Sequence, residues 1–229
     1  EIKYGQSFIC QGGKEKCDRK CEISMIELDD KKFPFGGACN KYYNIIHKIE
    51  DQSETRDLVA VREKMIFEEF ATPSGNADKN SKVIGINRTF LTNMLYPLYF
   101  NFWDQLGYNV VLSDEITLEG REKRKSAFCF PAEIAHGSFD NLLSKKPDYI
   151  FMPHILHIPV YGSLENNKAC VFIQGEPYYL KEAFKDRQLP EILVPIIDFQ
   201  KRVDSTKSEF VKIAVGMGAD RNKANKAFD

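Results

Sequence analysis

Lys82-Val83-Ile84-Gly85-Ile86-Asn87-Arg88 and, an aromatic-rich run later, Leu106-Gly107-Tyr108-Asn109-Val110-Val111-Leu112-Ser113 decide how this chain folds. Each holds a short apolar run without polar alternation, as strands buried on both faces do. Between them Thr92 to Leu106 has the length of a helix, and Gly107 suits its end. Pro97 falls inside that span and is tolerated where the helix starts near it or kinks.

The alternation continues outward. Pro131 starts a helix running to about Lys145, and Tyr149-Ile150-Phe151-Met152 reads as a strand. Residues 169–174 and 192–196 read as further strands, and 177–185 and 206–217 as helices. Residues 117–125 are charged and read as solvated. Strands separated by helices imply an α/β fold over 82–229, a Rossmann-like parallel sheet flanked by helices.

The N-terminal part has another character. Residues 1–56 hold four of the six cysteines, a Gly12-Gly13 turn and a Gly36-Gly37 turn. Cys21 to Leu28 alternates like a strand, Asp29 to Lys32 suits a turn, and Phe33-Pro34-Phe35 returns as a second strand. This reads as a small cysteine-rich β element. Residues 57–81 form a helix and linker: Asp57 is placed to cap a helix with apolar residues at 58, 61 and 65, and 72–81 is rich in Pro, Gly, Ser and Asn.

Net charge is −1, which offers nucleic acid or an anionic membrane no bulk attraction. The longest apolar runs, such as Ile192 to Ile197, are too short to span a bilayer. Six cysteines in 229 residues are too sparse for a disulfide scaffold, so metal binding or plain burial is expected, in a cytoplasmic setting. The opening Glu1-Ile2-Lys3 and the closing Ala227-Phe228-Asp229 read as the ends of a domain taken from a longer protein.

Two cysteines occupy matched places. Cys129 stands between phenylalanines ahead of Pro131, and Cys170 lies in Ala169-Cys170-Val171-Phe172-Ile173. Both fall near strand ends, at the edge where open α/β sheets bind ligands, which suggests a soft-metal or iron–sulfur site. A helix start would favour the thiolate of Cys129. The plainer account makes both cysteines small buried hydrophobes.

These segments, with Cys129-Phe130-Pro131-Ala132-Glu133-Ile134-Ala135-His136-Gly137, Asp148 to Pro153 and Cys170 to Pro177, resemble the domain of unknown function in CoA-substrate-specific enzyme activases. That domain is related to 2-hydroxyacyl-CoA dehydratase subunits and double-cubane-cluster reductases. The resemblance implies ATP-driven, low-potential electron transfer in an anaerobe, with Cys129 and Cys170 at cluster-ligand positions. It also implies an ATPase activase module, in the same or a partner chain, and an acyl-CoA enzyme as acceptor. A cubane held this way wants a third cysteine, and none follows Cys170.

His136 is a candidate for a hydrogen bond to a cluster sulfur, although a lone helical histidine more often serves packing. Cys10, Cys17, Cys21 and Cys39 are candidate zinc ligands, though three residues between Cys17 and Cys21 are looser than a zinc-ribbon pair. His154 and His157 suit a loop after a strand. Glu133 and Glu176 are candidates for pairing or proton transfer, with solvated helix-end charge as the plainer role. A phosphate-binding glycine loop with its lysine is missing, which puts the ATPase outside this chain. The rival reading is a non-catalytic docking domain using the aromatic run Tyr96, Tyr99, Phe100, Phe102 and Trp103.

Overall fold

The computed structural model describes residues 3–12, 17, 19–49, 57–125, 129–158, 167–200 and 202–229. Gly13 of the expected turn and Phe128 ahead of Cys129 lie outside them. The chain divides into two compact units, Glu1–Arg56 and Asp57–Asp229.

In the first unit, β1 (Lys3–Tyr4), β2 (Phe8–Ile9) and β4 (Lys31–Phe35) all pair antiparallel with β3 (Glu22–Leu28), and α1 spans Lys41–Ile46. Asp29 and Asp30 both have positive φ, 48° and 59°, the left-handed pair that a two-residue hairpin turn requires. Ile23 is the single fully buried hydrophobic residue among the described residues of this unit.

The second unit opens with α2 (Leu58–Lys64), continued by a π-helical turn over Met65–Glu69. Asp57 caps α2 as expected, its Oδ1 accepting from Val59 N at 2.9 Å and Ala60 N at 3.0 Å. Next come β5 (Val83–Ile86), α3 (Thr92–Gln105), β6 (Asn109–Leu112), α4 (Leu118–Glu122), α5 (Phe130–Ser144) and β7 (Tyr149–Phe151). They are followed by β8 (His154–His157), α6 (Val171–Ala183), β9 (Glu191–Leu193), β10 (Ile196–Asp198), α7 (Lys207–Gly216) and α8 (Arg221–Phe228). Four strands form a parallel sheet in the order β6-β5-β7-β9. Relative to chain order this is second, first, third, fourth, so the winding reverses between β5 and β7. A doubly wound sheet opens its ligand crevice at that point, beyond the carboxyl ends of the strands.

Alternate strand residues face opposite layers. Ile84, Ile86, Phe151 and Leu193 pack with Tyr99, Phe102 and Trp103 of α3, Phe210 of α7 and Ala224 of α8. Ile150 and Met152 pack with Phe139 and Leu142 of α5 and Leu180 of α6. The aromatic run of α3 is therefore core, with Phe102 and Trp103 wholly buried, and offers no docking stripe. Pro97 lies well inside α3. The carbonyl it frees, that of Asn93, accepts from Arg62 Nη2 of α2 at 3.0 Å.

Four local expectations change. Residues 169–174 are not a strand: pairing stops at the His157–Lys168 bridge, and Ile173 N and Gln174 N donate to Cys170 O as α6 begins. The exposed Val171 shows that this apolar run has no sheet to enter. The 192–196 strand is two strands, broken where Pro195 interrupts β9 and β10. His154 and His157 belong to β8, which pairs parallel with β10, and His157 Nδ1 lies 2.9 Å from Asp198 Oδ1. The charged 117–125 stretch holds α4, capped by Thr117, whose Gly120 is buried against α5.

Candidate functional site

The carboxyl edge of the sheet is built around two helix starts. Cys129 is the N-cap residue of α5, with extended backbone, and its carbonyl accepts from Glu133 N at 3.0 Å. Cys170 is the N-cap residue of α6 and likewise extended in ψ. Cys129 is half-buried and Cys170 exposed, so neither is a buried packing residue. Each thiol sits where unpaired amides and the helix dipole favour negative charge.

Tyr179 connects them. Burial pushes its phenol well above the ordinary tyrosine range, and Glu176, Cys129 and Cys170 push it further the same way. Its ring stacks on His136, with centroids 5.3 Å apart and planes 19° apart. His136 Nδ1 lies 2.7 Å from the Ala132 carbonyl, which can only accept, so Nδ1 carries the proton. Burial lowers the His136 pKa. In the neutral ring Nε2 is then an acceptor, and only the imidazolium would donate toward a sulfur.

A cavity of about 220 Å³ lies beside Cys129, floored by Ala132, Phe172 and Tyr179 and rimmed by Lys123, Arg124 and Lys125. Glu133, expected in solvent, is buried there. Arg121 donates to it from Nε at 2.9 Å and from Nη2, and Arg124 Nε lies 3.1 Å away. Arg121 chiefly, then Arg124, holds its carboxyl below the usual range. Glu133 thus holds Arg124 of the basic rim and is not placed as a proton carrier.

α4 and α5 meet backbone to backbone at two glycines. A Cβ on Gly120 would stand 2.7 Å from His136 O, and one on Gly137 would stand 2.7 Å from Thr117 O. Thr117 Oγ1 donates to Asp140 Oδ2 at 2.5 Å across this contact. Only residues without a side chain permit so close an approach.

Glu176 is the residue that sequence reasoning placed worst. It lies buried on α6 at the reversal point, its Oε1 accepting from Asn87 Nδ2 at 3.1 Å and from Thr89 Oγ1. Burial outweighs both donors and raises its pKa to about 7. One signal was available: Glu176, Leu180 and Phe184 follow at four-residue spacing, one inward face of a helix.

In the first unit Cys10, Cys17, Cys21 and Cys39 all line one cavity of about 320 Å³. A hydrogen bond with Cys10 pushes the Tyr42 phenol to about 12. None of the six cysteines, all of them described, forms a disulfide. Among the described residues no three His, Cys, Asp or Glu side chains are gathered so as to hold a metal ion. The thiols therefore fit soft-metal chemistry by donor type. Two stand at helix starts in the second unit, and four line one cavity in the first without forming a closed ligand set among the described residues.

The fold and this edge define a doubly wound α/β module with a thiol at each of two neighbouring helix starts. The CoA enzyme activase uncharacterised domain (DUF2229) matches residues 83–229, well over half of the chain, and the chain belongs to that family. No curated protein and no solved structure matches it. Among the described residues no helix is long and apolar enough to cross a membrane.

Proposed function

We propose that the chain is a module of a CoA enzyme activase system that lends Cys129 and Cys170 to an iron–sulfur cluster, the remaining ligands coming from outside residues 57–229. The observation carrying this reading is that Cys129 and Cys170 occupy the N-cap positions of two helices beside one half-buried tyrosine, Tyr179. A bound cluster would supply a store for one low-potential electron. The helix starts would stabilise the thiolates, and Tyr179 and Phe172 would keep water from them. The electron source on this reading is an ATPase activase module of the same or a partner chain, and the acceptor an acyl-CoA enzyme, in an anaerobic cytoplasm. Anaerobic reconstitution with iron and sulfide tests it. Cys129→Ala and Cys170→Ala should each lose most of the bound iron and the visible absorption, while Cys39→Ala keeps both. Unchanged absorption in the first two variants overturns the ligand assignment.

The four cysteines around the first unit's cavity form the second half of the proposal, a structural zinc site in a unit with little core of its own. Metal analysis of protein purified without air should find one zinc per chain, lost in Cys21→Ser. The docking reading retains one supporting observation: Phe130 and Val171, each next to one of the thiols, are largely exposed. Stable binding of the metal-free protein to an activase ATPase would favour it.

A further inference from the structure

Asn87 stands between the two cysteine-capped helices and bonds to both. Its Nδ2 donates to Ala135 O of α5 at 3.3 Å and to Glu176 Oε1 of α6 at 3.1 Å. Ala135 lies six residues after Cys129, and Glu176 six residues after Cys170. At about 1.5 Å per residue, the backbone of each cysteine lies about 9 Å along its helix from the residue that Asn87 holds, by a main-chain carbonyl on α5 and a side-chain carboxylate on α6. Each helix start is thus a six-residue arm from one fastening.

That fastening is set into the sheet. Ser113 Oγ donates to Asn87 Oδ1 at 3.3 Å and pairs with Ser138 Oγ of α5 at 2.7 Å, while Arg88 N donates to Ser113 Oγ at 2.7 Å. Thr89 adds the second donor to Glu176. These groups lie at the carboxyl ends of β5 and β6. The network therefore gives the arms a fixed origin, and Glu176 is its one ionisable member.

We propose that Glu176 is a positioning residue for the thiol edge: joined through Asn87 to α5, it sets the separation of Cys129 and Cys170, and it does so with a carboxyl that gains or loses its proton. The proposal rests on the reading that the two cysteines act together. Both donors fall on Oε1, so Oε2 is the oxygen that takes the proton. Burial raises the carboxyl to about 7, which puts the change of charge near neutrality. An ionised carboxylate in this setting bears a desolvation cost that drawing α6 outward toward water would relieve. The neutral acid keeps the fastening closed.

Among the described residues no facing charge offsets that cost. Tyr99 of α3 and Tyr179 of α6 face Glu176, and burial holds both phenols neutral. α5 offers His136, stacked on Tyr179 and itself pushed toward neutrality. Arg88, next to Asn87, turns its guanidinium to Glu63 of α2, 2.7 Å away. Met152, Pro153 and Ile155 close the remaining side with uncharged groups.

The test needs no metal. The 229-residue chain is treated with dibromobimane, a short reagent that joins two thiols, and mass spectrometry reads Cys129–Cys170-linked peptide against the two singly alkylated peptides. In the wild type this ratio should fall several-fold between about pH 6 and about pH 8, across the range where the carboxyl ionises. Glu176→Gln, which keeps the acceptor and cannot ionise, should hold the low-pH ratio throughout and so separates the clamp from thiol ionisation. Glu176→Ala should give the low ratio at every pH. A ratio that is the same in wild type and Glu176→Gln across the range overturns the clamp, as does the absence of linked peptide at any pH. Iron content, measured separately, judges the cluster reading. A pH-dependent ratio without iron binding would sink that reading and leave the clamp, and the converse result would do the opposite.

Discussion

Four cysteines in the first unit and two in the second are presented by different means. Cys129 and Cys170 begin helices of 15 and 13 residues that pack on a close-filled sheet. The other four line a cavity between short strands, with Ile23 as the only fully buried hydrophobic residue described there. A thiol at the start of a packed helix is positioned by the core beneath it. A thiol in the loops between short strands depends on what it binds for its order.

The largest expected effect breaks or upholds this contrast directly. On the zinc reading, a strong chelator abolishes amide-exchange protection in β3 and β4, since structural zinc supplies about 10–16 kcal/mol to small metal-folded peptides. Protection at Ile84, Ile86 and Phe151 should not change; equal loss in both units would end the distinction. Next in size, Phe102→Ala opens the filled aromatic layer of α3 and should cost about 3–5 kcal/mol in denaturant unfolding of residues 57–229.

Glu176 gives the third test. Its carboxyl lies near 7 in the folded chain against an ordinary 4.5, so folding takes up a proton in between. The stability it confers is complete below about pH 4.5, falls as pH rises and is lost above about 7, a change of about 3 kcal/mol. Glu176→Gln should flatten that slope and leave the variant the more stable protein at pH 8. A slope of unchanged size would show that the proton sits elsewhere. Fourth, Gly137→Ala should cost about 1–3 kcal/mol by driving a methyl into the α4–α5 contact, with thermal unfolding as the measure. Asp57→Ala, removing an exposed cap, should cost only about 1 kcal/mol.

Periodicity made the sheet legible. Val83 to Ile86, Val110 to Leu112 and Tyr149 to Met152 are apolar on both faces because helices cover both. Ala169 to Ile173 misleads for the same reason: a β-branched, aromatic run looks like a strand, yet here it forms the first turn of α6, with Val171 in solvent. Cys129 was visible as a residue preceding a helix, whereas Cys170 read as part of a strand, and the resemblance assigned both a role. Glu176 was not visible, because its burial depends on Asn87 and Thr89, nearly ninety residues earlier in the chain, arriving at the same strand end. A charged residue next to Pro177 looks like a helix end until the partner that buries it is known.

The bond from Arg62 to the Asn93 carbonyl fixes where this module can be cut. The family match starts at Val83, but α2 lies before it. Severing the chain at that boundary would strip the Asn93 carbonyl of its Arg62 donor, part Phe67 from Tyr96 and remove the Glu63 partner of Arg88. The heritable segment is therefore longer than the recognisable one. Exchanges between relatives joined ahead of Asp57 should yield a working graft, and those joined at Val83 a damaged one.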